Sequence, residues 1–450
     1  MGMQTDLLLK KRALGVLQQL RERIIDPGLC IRHRRRAVDF SRQCRLTFPV
    51  LMLLLLRKSL KSLQSRLHEW LWELGESTQS LSAGALTHAR AKLCASAFVE
   101  LNQQVLLPSV YGPEYQPLIQ RWHGHRLLGV DSMITRLPNS EAVGKVYGRE
   151  QCCKNRGNEE AYPYGRLSII YDLLNEVALD ARLAGSRAGE EPLAREQLGC
   201  LQAEDLLLTD RGYKSYCWVV AVRARGAHFV SRCSRKGFAV AQYLFGLNRD
   251  GMSVKATLKA PETLKAQCIQ EGWPLELAVR FVTVRLCTGE LEVLVTSLLD
   301  ESAYGTEEFA DLYARRWRQE TYFGRLKGRL DLEHCSGLSV EAVEQDFFAT
   351  VFLSNLESVL IGPAAAELAM DTARREQAVK INRAVSFHTL KSRLIELLAS
   401  SVPPEQVLEE LTQCFQANPV SIRPRRKVRR RDFSASRSYH FLRYVRKLVF

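Results

Sequence analysis

The stretch LYARRWRQETYFGRLKGRL, residues 312–330, has the composition of a charged helix but an unusual arrangement of functional groups. Four polar side chains, spaced by three, four and seven residues, fall within about 60° of one another on one helical face: Tyr313, Arg316, Glu320 and Lys327. A plain explanation is a solvent-exposed face with an i,i+4 ion pair between Arg316 and Glu320, which contributes only about 0.2–0.5 kcal/mol. That pair does not explain why a phenol and an ammonium share the face, so the face is a candidate for binding a ligand.

The charge of the 450-residue chain is concentrated at its two ends. The net charge is +15; residues 1–60 carry +9 and residues 421–450 carry +10, so the remaining 360 residues carry −4. Two basic ends around a neutral-to-acidic centre are typical of a protein that holds a polyanion, most commonly DNA or RNA. Basic tails without a specific partner are the alternative. With 46% hydrophobic and 25% charged residues, the chain has the composition of a globular protein of two to four domains.

The cysteines and the apolar segments predict an intracellular protein with no membrane partner. The twelve cysteines include one adjacent pair, Cys152 and Cys153, but no C-x2-C spacing, which favours reduced thiols in the cytoplasm. The most apolar run, FPVLMLLLL at residues 48–56, is far shorter than the ~20 residues of a membrane span and predicts a buried helix. No signal peptide is expected. No second half with zinc spacing accompanies the nearest candidate metal ligands, which are His123, His125, His334 and Cys335.

Residues 1–120 are predicted to form a helical N-terminal region. Apolar residues recur with helical spacing in residues 6–24, 47–73 and 80–107. The basic run at residues 32–36 makes this region a candidate for DNA binding, with a dimerisation bundle as the alternative. At the other end, residues 363–450 are predicted to form a helical region that closes, from Arg423, in a basic arm with interleaved aromatic residues.

From Arg126 the pattern changes to that of an α/β domain. The segments RLLGVDSMITRLP and RLSIIYDLLNEVALDARLAG predict three antiparallel strands, the last two joined by a turn at Asn175 and Glu176. A helix, the strand DLLLTD, a second helix and the strand HFVSRCS follow. Residues 235–300 are β-rich, with a hairpin turn expected at Gly289 and Glu290.

Two carboxylates occupy positions that are costly for an unpaired charge. Asp131 interrupts the apolar strand that contains Gly129 and Val130, and Asp210 closes the apolar strand LLLT. Asp210 could instead cap a helix that begins near Tyr213, and Asp131 could lie at a strand end or a sheet edge. Convergence of both with Glu320 would gather three hard oxygen ligands, as a two-cation phosphoryl-transfer site requires.

The spacing of the opening face resembles a known signature. Tyr313-x2-Arg316-x3-Glu320-x6-Lys327 matches the signature of the insertion-sequence-four family of bacterial DDE transposases. GVDSM around Asp131 resembles the first acidic strand of this family, and LLTDRGYKS resembles its second. The segment ALTHARAKLCASAFVELN is similar to the helix that precedes the catalytic domain in many members. The resemblance covers about residues 80–335.

The resemblance implies a ribonuclease H-like catalytic core in residues 121–234 and 301–362, interrupted by a β-rich insertion at residues 235–300. It implies a catalytic triad that binds two Mg²⁺ ions, which Mn²⁺ could replace, and the triad residues are Asp131, Asp210 and Glu320. It further implies that side chains of the signature grip the terminal phosphate and a DNA hairpin, and that one more arginine contacts DNA; these residues are Tyr313, Arg316, Lys327 and Arg211.

Two tryptophans have less definite expectations. Some relatives of the family stack a flipped base on an aromatic side chain. Trp273, in the insertion, is a candidate for that role, although a packed tryptophan is the simpler interpretation. Trp317 is expected to pack against the core.

The function predicted from the resemblance is that of a DNA transposase. It would cut an insertion sequence at its inverted terminal repeats and join the 3′ ends to target DNA, without a covalent protein intermediate. Its partners would be the element's ends, the target DNA and a second copy of the chain, in the bacterial cytoplasm at the nucleoid. The alternatives are a ribonuclease H-like nuclease without strand transfer and a non-catalytic DNA-binding repressor.

Overall fold

The N-terminal region contains helices and no strand among its described residues, as the apolar periodicity predicts. The computed structural model describes residues 2–422 except 43, 60, 74–80, 152–160, 287 and 373–377. The first seven α-helices are α1 (Gly2–Ile25), α2 (Pro27–His33), α3 (Phe48–Leu56), α4 (Leu63–Glu73), α5 (Ala83–Arg90), α6 (Ser96–Leu101) and α7 (Leu107–Tyr111), with a π-helical segment at Asn102–Leu106 and a 3₁₀ helix at Pro113–Leu118. The apolar run at residues 48–56 is the largely buried helix α3, which confirms that prediction.

The central region alternates strands and helices. Its elements are β1 (Leu127–Arg136), α8 (Glu141–Tyr147), β2 (Arg149–Gln151), β3 (Ala161–Asp172), β4 (Val177–Gly185), α9 (Glu190–Arg195), β5 (Leu206–Thr209), α10 (Tyr216–Ala224), β6 (His228–Arg232), α11 (Ala239–Leu247), β7 (Ser253–Lys259), α12 (Lys265–Gln270), β8 (Glu276–Arg285) and β9 (Leu291–Thr296). Short 3₁₀ helices lie at Leu198–Cys200 and Glu262–Leu264. The predicted turn between β3 and β4 is confirmed, with Glu176 in the left-handed region at φ 57°.

All nine of these strands form one mixed sheet. The spatial order is β4–β3–β1–β5–β6–β9–β8–β7, and β2 pairs with the first residues of β3. β3 is antiparallel to both β1 and β4, whereas β1, β5 and β6 are mutually parallel. β9, β8 and β7 add antiparallel strands beyond β6, so the strands of residues 235–300 continue the same sheet. The four residues of β5 are all buried, as expected for a parallel strand that is covered on both faces.

The C-terminal third is mainly helical. It contains α13 (Glu308–Ala314), α14 (Trp317–Gly328), α15 (Val340–Leu360), α16 (Gly362–Thr372), β10 (Val379–Lys380), α17 (Arg383–Ala399), α18 (Pro404–Ala417) and β11 (Val420–Ser421). The last two strands pair with each other outside the main sheet. The basic arm that begins at Arg423 lies outside the described residues.

The single helix predicted for residues 312–330 is wrong, because the structure has two helices there. Around the junction, the N–H of Arg316 donates to the carbonyl of Tyr313 at 3.0 Å, and that of Gln319 donates to the carbonyl of Arg316 at 2.9 Å. These i,i−3 bonds tighten the turn relative to an α-helix. The face calculated for one ideal helix therefore does not continue from α13 into α14.

The segment Val340–Met370 is long and apolar enough to cross a membrane by length and composition, but 78% of its most apolar window is buried inside the protein. Its first part, α15, joins the N-terminal helices to the sheet domain through a buried ion pair. The guanidinium of Arg90 donates to Asp346 Oδ1 at 3.0 Å and to Gln345 Oε1 at 2.9 Å. All three side chains are buried, so α5 and α15 are joined by a polar network inside the core.

Candidate active site

Asp131 lies in β1, and Asp210 directly follows β5, the strand that runs parallel to β1. β1 and β5 pair with Gly129 opposite Leu208, and continuing this register by two residues sets Asp131 opposite Asp210. Adjacent strands are about 4.8 Å apart, so the two carboxylates leave the backbone close together. The predicted convergence of the two acidic strands is therefore present in the structure.

Of the two alternative roles, the structure overturns the capping role of Asp210. Helix α10 begins at Tyr216 and is capped by the hydroxyl of Ser215, not by Asp210. Asp131 lies in the middle of β1 and pairs with Ile169 of β3, whereas the pairing of β1 with β5 ends two residues earlier, at Gly129. Asp210 therefore does not cap α10, and Asp131 lies where one side of β1 is open next to the end of β5.

A glycine lets α14 approach the sheet closely enough to bring Glu320 to the aspartates. A Cβ on Gly129 would lie 3.0 Å from Gln319 Oε1 and 3.0 Å from Leu173 Cδ2. Gln319 is completely buried, and its Nε2 donates to the carbonyl of Ile169 in β3 at 3.1 Å. The first turn of α14 is thereby fixed over β1 and β3, and the next residue, Glu320, faces solvent at the aspartates.

The guanidinium of Arg316 lies among the three carboxylates. Its Nη2 donates to Glu320 Oε1 at 2.9 Å, and its Nη1 lies 3.6 Å from Asp131 Oδ2. The Arg316 side chain is only 4% exposed, whereas the side chains of Asp131, Asp210 and Glu320 are 22%, 34% and 41% exposed. Although burial opposes it, nearby Tyr313 and the three carboxylates hold the pKa of Arg316 above its ordinary value. The site therefore contains a permanent cation between two of its acids.

The pKa of Asp131 is affected by the charges of the other site residues. Burial is the main cause that raises the pKa of Asp131 to about 6, and the negative charges of Asp210 and Glu320 raise it further. Arg316 and the N–H of Ser132, which donates to Asp131 Oδ1 at 2.8 Å, act in the opposite direction. The pKa of Asp131 therefore depends on the charges of Asp210, which follows β5, and of Glu320 in α14.

Tyr313 is placed beneath the site rather than at its surface. Its side chain is 4% exposed, and its hydroxyl donates to the carbonyl of Thr209 at 3.2 Å. Thr209 immediately precedes Asp210, so the phenol fixes the end of β5. Burial is the main cause that raises the pKa of Tyr313, so the hydroxyl stays a hydrogen-bond donor.

Lys327 lies farther along β1 than the three acids. Its Nζ donates to the carbonyl of Ile134 at 3.1 Å and forms an ion pair of 3.1 Å with Glu333. Ile134 is three residues beyond Asp131, which corresponds to about 10 Å along a strand. The structure therefore does not bring Lys327 into the carboxylate group.

Arg211 opens onto a basic cavity next to Asp210. Its backbone N–H donates to Asp210 Oδ1 at 2.7 Å, and its side chain is exposed. The cavity has a volume of about 440 Å³, and three further cations line it: Lys214, Arg235 and Lys236. This surface next to the second aspartate is the most basic part of the site.

Arg232 belongs to the site and was missed in the sequence. β5 and β6 pair with Thr209 opposite Ser231, so Arg232 comes opposite Asp210. Its Nη1 lies 3.7 Å from Asp210 Oδ1, and its Nε donates to Glu292 of β9 at 2.5 Å. The sequence did contain a signal. Arg232 is the last residue of an apolar strand, just as Asp210 directly follows one, and both come one residue after the paired residues Thr209 and Ser231.

The other residues singled out in the sequence are two histidines, considered as metal ligands, and two tryptophans. His123 and His125 have protein partners, Glu308 and Tyr304, at 2.7 and 2.8 Å. Trp273 packs against the core around β7 and β8, which agrees with the simpler interpretation. Trp317 was expected to pack against the core, and that is wrong: the residue is 43% exposed, with its ring 5.3 Å from the Arg316 guanidinium. Cys152 and Cys153 lie outside the described residues.

The donor chemistry of the three acids suits a hard divalent cation, because all are carboxylates with partly exposed side chains. Within residues 2–422, apart from the gaps given above, no group of three or more His, Cys, Asp or Glu side chains is gathered closely enough to hold a metal ion. Arg316 occupies the space between Asp131 and Glu320. Metal binding by all three acids thus requires rotation of Asp131 or Glu320 away from the guanidinium.

The chain is similar to known transposases. The family model described as the transposase DDE domain matches residues 122–356, a segment that contains all three acids. Transposase InsG for insertion sequence element IS4, from Escherichia coli (strain K12), is 24% identical over 240 residues, which are 52% of this chain and 52% of that protein. Putative transposase InsZ, from the same organism, is 28% identical over 155 residues, which are 34% of this chain and 50% of that protein. The chain thus spans about half the length of the curated relatives that it matches.

A solved structure is also similar over most of the chain. The cryo-EM structure of a piggyBac transposase synaptic complex with hairpin DNA aligns with 96% of this chain and 88% of its own, at a TM-score of 0.41 and 11% identity.

Proposed function

The chain belongs to the transposase DDE domain family, and on that premise we propose that it is a DNA transposase. It cuts an insertion sequence at its inverted terminal repeats and joins the 3′ ends to target DNA. The observation that carries this proposal is the meeting of Asp131, Asp210 and Glu320, from β1, β5 and α14, around one buried guanidinium. A protein that only binds DNA has no use for three carboxylates at one end of its sheet.

The proposed catalytic core is ribonuclease H-like. Its strands are β4–β3–β1–β5–β6, with β3 alone antiparallel to its two neighbours. In this arrangement β1 is central and carries the first acid, while β5 carries the second at the next position. The segment that contains β7 to β9 is the proposed insertion, and it is attached through β9.

The cofactor that we propose is Mg²⁺, as two ions, with Mn²⁺ as a possible replacement. DDE transposases generally depend on divalent metal ions, and the proposed ligands here are Asp131, Asp210 and Glu320. When bound, the ions would activate the attacking water or 3′-hydroxyl and stabilise the charge of the phosphate at the reaction centre. No side-chain nucleophile is required.

The other site residues have separate proposed roles. Arg316 balances the acids before DNA arrives and stabilises the charge of the scissile phosphate afterwards. Tyr313, which is buried, acts as a positioning residue for Asp210 through the Thr209 carbonyl and does not contact DNA directly. Arg211 directly follows Asp210, and Lys327 contacts β1 beyond Asp131; their proposed role is to bind the phosphates that flank the cleaved bond.

The partners that we propose are the two ends of the element, the target DNA and a second copy of the chain. An element has two ends that are cut and joined together, so two active sites are needed in one complex. The proposed location is the bacterial cytoplasm, where the DNA substrates are. The basic N-terminal region provides further charge for holding DNA.

Cleavage of a plasmid that carries the element's own ends tests this proposal. The wild type should nick or excise the element with Mg²⁺ and not with EDTA, and Glu320→Gln should abolish cleavage while leaving DNA binding intact. Glu262→Gln, an exposed carboxylate paired with Lys265 in the insertion, is the matched control and should cleave normally. A second assay with pre-cut ends distinguishes a transposase from a nuclease. A transposase joins these ends to target DNA, whereas a nuclease cuts DNA but does not join it. Paired ends that the wild type binds but never cuts would identify a non-catalytic DNA-binding protein.

A further inference from the structure

A second, larger cavity lies at the C-terminal end of α14. Its volume is about 730 Å³, and it is formed where the residues after α3, helix α4, the end of α14 and the first half of α17 meet. The lining side chains at the end of α14 begin at Gly328, eight residues after Glu320, or about 12 Å along the helix. The cavity is therefore separate from the three acids, but one of its walls is the end of the helix that carries Glu320.

Three buried or half-buried cations face this cavity. Lys58 is 4% exposed, and its buried Nζ has no hydrogen-bond partner among the described residues. Arg66 is 6% exposed and donates to the carbonyl of Leu54 at 2.8 Å. Burial is the main cause that lowers the pKa of Lys391 in α17; Asp331 opposes it, and the charges of Lys58 and Arg66 lower the pKa further. Like charges gathered in this way repel one another unless an anion lies between them.

The carboxylates that line the cavity do not balance these cations. The buried Asp346 attracts Lys58 and Arg66, but it does not line the cavity and already forms an ion pair with Arg90 at 3.0 Å. Three carboxylates line the cavity, and two of them have their own partners: Glu73 forms an ion pair with Arg57 at 2.7 Å, and Glu69 forms one with Lys61. Asp331 remains near Lys391. Arg329 adds a further cation at the end of α14. After the two ion pairs are set aside, four cations face one carboxylate.

We propose that this cavity binds a phosphate group, with Lys58, Arg66 and Lys391 as its ligands. A phosphate supplies several acceptor oxygens, which the unpartnered ammonium of Lys58 lacks, and its charge would offset those of Arg66 and Lys391. The phosphate comes either from a DNA backbone, in which case the inference rests on the proposed function, or from free inorganic phosphate. Because the cavity includes the end of α14, an occupied site stabilises the helix that carries Glu320.

Isothermal titration of the full-length protein with inorganic phosphate, in EDTA, tests the pocket. Lys58→Met and Lys391→Gln should each weaken phosphate binding at least tenfold. Lys265→Met, which removes an exposed lysine of α12, is the control and should bind as the wild type does. Without phosphate, Lys58→Met should melt at the same temperature as the wild type or higher, because an unpaired buried charge is removed. A merely structural lysine would lower the melting temperature instead.

The salt dependence of binding to a duplex, also in EDTA, identifies the source of the phosphate. If the source is DNA, the slope of log K against log salt should fall by about 1 in Lys58→Met and not in Lys265→Met. Weaker phosphate binding with an unchanged slope assigns the pocket to free phosphate. Unchanged phosphate affinity and slope in both pocket variants overturn the inference. Because no step requires cleavage, an inactive enzyme would overturn the proposed function without affecting this test.

Discussion

Replacing Arg316 with methionine tests the electrostatic arrangement of the active site most directly. The guanidinium lies 2.9 Å from one carboxylate and 3.6 Å from another. At an effective dielectric constant of 20, these distances correspond to gross attractions of about 6 and about 5 kcal/mol. Desolvation of the 4% exposed cation offsets much of this, and the acids that remain are partly hydrated. We therefore expect a net loss of about 2–3 kcal/mol in the free energy of unfolding, below the 3–5 typical of fully buried pairs.

The informative measurement is the effect of Mg²⁺ on that loss. In the wild type a divalent cation competes with the guanidinium for Asp131 and Glu320, whereas in Arg316→Met the acids repel one another without a counter-charge. Thermal unfolding with EDTA or with Mg²⁺ should therefore show a larger Mg²⁺ stabilisation in the variant. Arg318→Met is the matched control, because Arg318 is an exposed arginine two residues away that donates to the Leu173 carbonyl. Equal Mg²⁺ shifts in Arg316→Met, Arg318→Met and the wild type would refute the idea that Arg316 occupies the cation position.

Three further predictions concern stability. Arg90→Met leaves Asp346 buried without its cation and should lower the free energy of unfolding in urea by about 3–5 kcal/mol. The double variant Arg90→Met, Asp346→Leu should recover much of this loss. No recovery would contradict the pairing. Gly129→Val adds a Cβ that would lie 3.0 Å from both Gln319 Oε1 and a Leu173 methyl. The substitution should lower the free energy of unfolding in urea by about 1–3 kcal/mol and reduce DNA cleavage. Unchanged stability and cleavage would show that α14 does not depend on this close approach. Burial lowers the pKa of Lys391 from 10.5 to about 8, so its cost to the fold is complete below pH 8 and is relieved as the pH rises to 10.5. Relative to Lys391→Gln, the wild type should therefore gain about 1–2 kcal/mol over that range, after allowance for partial solvation, and parallel pH profiles of the two proteins in urea would contradict this.

Much of the sheet was predictable because each strand carries its own signal. The apolar run before Asp131, the turn at Glu176 and the buried LLLT strand before Asp210 are local patterns, and the parallel pairing of β1 with β5 then sets the aspartates side by side. The N-terminal helices and the buried helix α3 were predictable for the same reason. What a short segment encodes by itself could thus be predicted from the sequence.

The rest depends on contacts between distant segments. The break between α13 and α14 coincides with the burial of Arg316 against β1, and helical periodicity does not include a side chain on another element. The role of Arg232 requires knowledge that β6 lies beside β5. Lys58 and Lys391 are more than 300 residues apart, so no spacing rule could place them in one cavity. Trp317 was misjudged because its exposure depends on the direction of α14 after the break.

The continuation of the sheet through β9 limits how this protein can be altered. Val230 of β6 pairs with Thr296 of β9, and Arg232 on that edge also reaches Asp210 and Glu292. Residues 235–300 are therefore not a removable module, because excising them would expose an edge strand and unbalance the arginine beside the second acid. A shortened or chimeric version must keep a strand in the place of β9, with a carboxylate at the position of Glu292.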